Sequence, residues 1–304
     1  MRTNGNEADE DAQKPRATRR AVLRGTAVAA GLAGFAGSAS AFEGDDGDIT
    51  GPADFPRATT RGHFDIHWWY GDQLTDGHTA WDYSTTGDIP GYGTSPVPEE
   101  VVISVHGWRV APEDAPDHFA TVKQSLRDNG YDHPVIGFSY DSDTSTDNWW
   151  PTTDIAERNG KKLANFLTYY VSKTGAQVRL IGHSMGGRVV ASTIKELNGL
   201  DKPNNLASAT FLGAAVDNDA VSWEGEYGDD IAAVGADVHN YWKSDDDVLN
   251  WAYSTGEFDS AVGEEGAEGS TPANYTDHNV DYVPDHFSYH QPGEGCMSEV
   301  VSDF

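Results

Sequence analysis

Apolar runs and polar breaks alternate along this chain with the rhythm of strands followed by helices. Val101-Val102-Ile103-Ser104-Val105 is β-branched and almost continuously apolar, the pattern of a buried strand, and it ends at His106-Gly107-Trp108. Phe119, Val122 and Leu126 then recur at helical spacing, with Gly130 as the stop. Residues 134–140, from Pro134 to Tyr140, read as the next strand. Leu163, Phe166, Leu167, Tyr170 and Val171 mark the buried face of a longer helix that ends before Gly175. Gln177 to Ile181 is a strand, and Val190, Ile194 and Leu197 form the inward face of the helix that follows. Leu206 to Val216 and Val238 to Trp242 predict two more strands. This alternation predicts a mostly parallel sheet with helices on both faces. Upstream, His63 to Tyr70 alternates enough for a strand. Residues 84–98 and 255–275 read as loops, and 217–236 leaves room for a small cap. No internal repeat is visible.

The N-terminus follows a different logic. Thr18-Arg19-Arg20-Ala21-Val22-Leu23-Arg24 resembles a twin-arginine export signal. Gly25 to Gly37 is apolar but too short to span a bilayer, which takes about 20 residues. Ala39-Ser40-Ala41 has the small-x-small form of a cleavage site. Residues 1–41 are therefore read as a removed targeting segment, 42–62 as an acidic Gly/Pro-rich exposed linker, and 63–304 as the folded domain. The expected product is secreted, with no stable membrane anchor after cleavage.

Charge narrows the partners. The chain of 304 residues has a formal net charge of −29. Residues 1–41 hold six basic and four acidic residues, so the remainder holds 14 basic and 45 acidic, a net of −31. Such a body repels phosphate backbones and anionic lipid, which argues against nucleic-acid binding. The acids are spread along the chain rather than gathered in a tail, and the composition resembles that of proteins from extreme halophiles. No loop carries the Asp/Asn-Gly spacing of a dedicated calcium site. With 38% hydrophobic residues and nine Trp, the body has material for a real core. The single cysteine, Cys296, excludes a disulfide scaffold and a cysteine-based zinc site.

Gly182-His183-Ser184-Met185-Gly186 fits G-x-S-x-G. Five residues alone are a weak signal, but this match ends an apolar strand and opens an amphipathic helix, which the chemistry requires. A serine at the tip of a sharp strand-to-helix turn exposes its hydroxyl. Its neighbours two before and two after must be small because the chain nearly touches itself there. Ser184 is the candidate nucleophile. One oxyanion donor is expected from the backbone N–H of Met185, and the second from the loop after an earlier strand, with Trp108 N–H the candidate and Gly107 allowing the turn. His106 is read as a packing or hydrogen-bonding residue rather than a base.

The acid is expected after a late strand. Asp245, Asp246 and Asp247 follow Val238–Trp242, and one of them should turn inward; Asp246 is the choice, with Asp247 next and Asp217 the rival from another strand. The base is expected on a loop near the C-terminus. His239 lies within a strand and reads as structural. His286, between apolar residues in Val283-Pro284-Asp285-His286-Phe287-Ser288-Tyr289, is preferred over His278 and His290, which read as surface histidines.

The segments Val-His-Gly-Trp at 105–108, Gly-His-Ser-Met-Gly-Gly at 182–187, Ser-Asp-Asp-Asp-Val-Leu at 244–249 and Val-Pro-Asp-His-Phe-Ser-Tyr at 283–289 together resemble the α/β-hydrolase superfamily, on its lipase and esterase side. That resemblance implies the α/β-hydrolase fold and a Ser184–His286–Asp246 triad that cleaves carboxylic esters through an acyl-enzyme. The substrate would be a small-molecule or lipid ester. No metal and no cofactor is expected for this chemistry. Trp108, Trp149, Trp150 and Trp223 are candidates for an acyl pocket. Thioesterase, amidase, peptidase and acyltransferase activity share the machinery, and a catalytically silent extracellular binding protein on the same scaffold is the alternative from another class. The chain departs from the common pattern in lacking a long helix after the histidine. Exported protein is expected to begin at Phe42; N-terminal sequencing that starts before Arg20 would overturn the cleavage.

Overall fold

The computed structural model of the chain describes residues 49–67, 71–145, 148–200, 204–254 and 259–304. The expected export segment 1–41, residues 42–48 and Trp68 to Tyr70 lie outside the described residues.

Ten strands are described: β1 (Arg57–Thr59), β2 (Phe64–His67), β3 (Gly71–Leu74), β4 (Ser84–Thr86), β5 (Glu100–Val105), β6 (Val135–Ser139), β7 (Gln177–His183), β8 (Leu206–Leu212), β9 (Asp237–Trp242) and β10 (Tyr275–Asn279). The described helices are α1 (Ala115–Asp128), α2 (Trp149–Thr174), α3 (Met185–Asn198), α4 (Gly228–Val234), α5 (Asp247–Ala252), α6 (Val262–Glu265) and α7 (Met297–Ser302). Eight strands form one sheet in the order β10-β9-β8-β7-β5-β6-β1-β4. Every pairing in it is parallel except β1 with β4 at one edge. β2 and β3 form a separate antiparallel hairpin.

The central strands are apolar on both sides because both faces are covered. Alternate residues of β5 go to different cores: Val101, Ile103 and Val105 join one apolar cluster and Val102 the other. Leu180 and Ile181 of β7 divide in the same way. The larger cluster holds the apolar faces of α2 and α3, and the smaller holds those of α1 and α7. The mostly parallel sheet with helices on both faces is what the strand–helix rhythm predicts, and it is the α/β-hydrolase fold that the resemblance implies.

The differences are local. The expected linker supplies β1, which pairs with β6 and buries Ala58 and Phe55. Within the strand expected over His63–Tyr70, Phe64–His67 form β2, and residues 68–70 lie outside the described residues. The strand expected over Leu206–Val216 ends at Leu212. The loop expected at 84–98 begins with β4, and that at 255–275 holds α6. β10 was not anticipated; its sequence, Tyr275-Thr276-Asp277-His278-Asn279, is polar because it is an edge strand with two exposed or half-exposed flanks.

Helices α2 and α3 cross at a point without space. A Cβ on Gly160 of α2 would meet Ser192 of α3 at 2.4 Å from Oγ and 2.6 Å from its backbone carbon. An alanine favours a helix interior over glycine by about 1 kcal/mol. Overpacking a tight contact costs about 1–3 kcal/mol. Gly160→Ala is therefore expected to lower stability in net, by about 1–2 kcal/mol, read as a fall in the urea midpoint. A rise in the midpoint would mean that the two helices part freely here.

Candidate active site

Strand β7 feeds the site. It is a central strand between β5 and β8, and the chain leaves it through Ser184 into α3. Ser184 has φ 54° and ψ −123°, a conformation rare for a residue with a side chain. Its backbone is tied on both sides. Its N–H donates to Leu212 O at 2.9 Å, and its carbonyl accepts from Gly187 N at 2.9 Å and Ala215 N at 3.0 Å. The turn is tight enough that a Cβ on Gly182 would lie 2.4 Å from Gly186 O, and one on Gly186 would lie 2.4 Å from Val105 O. Ser184 opens the 14-residue helix α3, whose N-terminal amides favour negative charge.

The loop after β5 runs beside the serine. A Cβ on Gly107 would come 3.1 Å from Ser184 Cβ. Trp108 follows directly, so the backbone amides of Trp108 and Met185 belong to the two segments that flank Ser184. The loop is held in shape by Arg109, at φ 61°, whose N–H donates to Ser142 O at 2.8 Å. His106 is fully buried and stacks on Tyr140 at 4.8 Å. Its Nε2 accepts from Tyr140 N at 3.3 Å and faces the Arg61 guanidinium at 3.1 Å, while Nδ1 bonds Gly107 O at 2.9 Å. Two donors at Nε2 put the proton on Nδ1. Both nitrogens are occupied, so His106 is a scaffold for the loop.

Of the three successive aspartates, one turns inward. Asp246 is 1% exposed, whereas the Asp245 side chain is 76% exposed and pairs with Lys243. Asp247 is exposed at the start of α5. Asp246 Oδ1 caps α5 by accepting from Leu249 N at 3.0 Å, and Oδ2 lies 2.7 Å from Nδ1 of the buried His286. With Nδ1–H donated to Asp246, the lone pair of His286 is on Nε2. Asp217 is engaged elsewhere, accepting from Arg188 at 3.0 Å and Tyr253 OH at 3.3 Å. His183, the residue before Ser184, bonds the His286 carbonyl through Nε2 at 2.7 Å, which joins the histidine loop to the turn that carries the serine.

A family of alpha/beta hydrolases of unknown function, DUF900, matches residues 94–250. The chain belongs to this family. The match takes in the loop after β5, the serine turn and Asp246, and stops short of His286. Among solved structures, the hydrolase is similar to a lipase-esterase related protein from Clostridium acetobutylicum at 12% identity, over 68% of this chain and 93% of that one, with a TM-score of 0.39. Lipase B of Aspergillus fumigatus is similar at 11% identity, over 70% of this chain and 57% of that one, with a TM-score of 0.43. The mature lipase BlEst2 of Bacillus licheniformis is similar at 17% identity, over 67% and 94%, with a TM-score of 0.37.

Three features of the hydrolase escape sequence reasoning. His290, read as a surface histidine, is completely buried, packed against His118 at 4.4 Å and His183 at 4.9 Å between ring centroids. Burial and these neighbouring rings hold His183 well below the ordinary histidine range, so it stays neutral. Arg188 is 2% exposed on α3 and ties that helix to Glu157 of α2 at 3.1 Å and to Asp217 at 3.0 Å. Of the candidate pocket aromatics, Trp108 and Trp149 meet edge to face at 5.2 Å and Tyr253 extends the group, whereas Trp150 and Trp223 are exposed. No helix among the described residues is long and apolar enough to cross a membrane.

Gly186→Ala tests the closeness at the turn. The added Cβ would press on the backbone oxygens of Val105 and His106, which cannot swing aside. A loss of about 3 kcal/mol in chemical unfolding is expected, the upper end for overpacking. A variant as stable as the parent would show that α3 is not seated against β5 as described.

Proposed function

We propose that this chain is a serine hydrolase that cleaves carboxylic esters through an acyl-enzyme. The observation that carries the reading is the buried Asp246–His286 contact at 2.7 Å, joined through His183 to the strained turn that holds Ser184. In this reading His286 Nε2 takes the proton from the Ser184 hydroxyl as Oγ attacks the ester carbonyl. The proton then passes to the departing alkoxide. Asp246 fixes the Nδ1–H tautomer and stabilises the imidazolium. The amides of Met185 and Trp108 receive the oxyanion, aided by the N-terminus of α3. Water attacks the acyl-enzyme in the second half-reaction with His286 again as base.

The same proposal extends to place and partner. The mature protein is exported by the twin-arginine route, works in high salt, and meets a small-molecule or lipid ester rather than nucleic acid. Salt screens the self-repulsion of its acidic body.

The test uses the mature chain in molar salt with short- and long-chain p-nitrophenyl esters. Ser184→Ala is expected to lower kcat by about 10⁵-fold or more. Asp246→Asn is expected to lower it about 10³–10⁴-fold by favouring the wrong tautomer. Asp247→Asn should stay within about twofold, the behaviour of a solvated carboxylate. An inactive parent, or equal activity in the parent and Ser184→Ala, would remove the esterase reading. Chain-length preference separates esterase from lipase.

A further inference from the structure

Outside the serine turn, His239, His278 and Asp303 come together on one face of the sheet edge. His239 is on β9 and His278 on β10, which pair in parallel with His278 directly beside Tyr241. His239 and Tyr241 are two apart on one strand and share a face. Asp303 follows α7, which covers that face. His239 Nδ1 lies 3.0 Å from His278 Nε2. Asp303 Oδ2 lies 3.5 Å from His278 Nε2 and 4.0 Å from His239 Nδ1.

We propose that these three side chains bind a divalent transition-metal ion of the zinc class. Zinc takes imidazole nitrogen and carboxylate oxygen at about 2.0–2.2 Å in a tetrahedron, so its donor atoms lie about 3.3–3.5 Å apart. The three observed separations bracket that span, and a few tenths of an ångström of side-chain movement equalises them. Imidazole with carboxylate suits zinc over calcium or magnesium, which prefer oxygen alone. Neighbours fix the donors: the Tyr241 ring stacks on His278 at 4.5 Å and 10°, and its hydroxyl donates to Asp303 Oδ2 at 2.6 Å. The side chains are 15%, 22% and 31% exposed, so the ion can enter and water can complete the tetrahedron. One carboxylate leaves a net charge of +1 on the loaded site, at the surface of a strongly acidic protein. The neighbouring cation Arg179 is paired with Glu100 at 2.8 Å.

Two other clusters of potential ligands fit less well. At His63, His78 and Asp82 the Lys162 ammonium already occupies the centre, 3.1 Å from His63 Nδ1 and 3.0 Å from Asp82 Oδ1. His118, His183 and His290 are buried and bring no carboxylate, so a divalent ion there would carry its full charge into the interior. The role of the proposed ion is structural. Residues 279–302, between His278 and Asp303, include the His286 loop, and the ion would tie both ends of that segment to β9.

The test takes the full chain, stripped with chelator and dialysed, in molar potassium chloride. Zinc is titrated by calorimetry, and cobalt(II) by its visible absorption, which is intense only in tetrahedral sites. One equivalent per chain is expected, with tetrahedral cobalt bands and a rise in Tm on adding zinc. His278→Gln and Asp303→Asn are each expected to weaken binding at least about tenfold and to abolish both the bands and the Tm rise. Asp303→Asn keeps an amide oxygen for Tyr241, so it serves even where His278→Gln does not fold. Weak uptake of many ions without cobalt bands would overturn the proposal, as would one tight ion that both variants retain unchanged.

Discussion

Ser184 holds φ 54° and ψ −123° because three backbone hydrogen bonds leave it no alternative. A non-glycine residue in such a region costs about 1–3 kcal/mol. Bonds to Leu212 O, Gly187 N and Ala215 N contribute about 0.5–1.5 kcal/mol each, enough to offset it. The turn that makes them brings α3 closer to β7 than a Cβ at Gly182 permits, and closer to the end of β5 than one at Gly186 permits. The same approach seats the start of α3 against the end of β5 and draws the His106-Gly107-Trp108 loop beside the serine. Removing a few atoms from two positions thus sets the direction of the hydroxyl, the helix N-terminus and the neighbouring amides together.

This constraint is local, and it was legible. The glycines at 182 and 186 announce it, and the apolar run before and the amphipathic helix after supply its context. The parallel sheet was legible for a related reason, since β5 and β7 must be apolar on both faces to be covered on both. What sequence could not decide depends on distant partners. Asp245, Asp246 and Asp247 have one chemistry and differ only in facing. Asp246 is the one that faces inward, its carboxylate capping α5, while Asp245 turns out to Lys243. His290 has the sequence context of an ordinary loop histidine, and His118 and His183, from two other segments, close around it and bury it. β1 is three residues long and is a strand only because β6 and β4 lie on either side of it.

Three of the chain's few basic residues are buried and paired. Lys162 is fully buried and donates to Asp82 at 3.0 Å and to the carbonyl of Thr79. Arg188 is buried between Glu157 and Asp217 and also donates to Ala215 O at 2.8 Å. Lys243 is buried against Asp245. Such ions are expensive to desolvate, and each persists only with its hydrogen bonds satisfied. Exposed pairs contribute little and are weakened further by salt. Lys162, Arg188 and Lys243 thus sit where salt screens their contacts least.

The histidine loop is positioned by packing from several segments. After β10 the chain makes a loop through His286 and enters α7, which is six residues long. That helix is too short to orient the loop by itself. The loop is instead held from within. Tyr289 is fully buried, with its hydroxyl 3.4 Å from both Asp246 Oδ2 and Gly263 O. Cys296 N–H donates to Tyr289 O at 3.0 Å, and its thiol packs beside that carbonyl with no exposed surface. Burial pushes the thiol far above its ordinary range, so the lone cysteine is inert packing rather than a nucleophile. Tyr289 and Cys296 on one side, and His183 on the other, fix the backbone on both flanks of His286. The side chain can then reach Asp246 with little freedom left to lose, which is what a short, buried histidine–carboxylate contact requires.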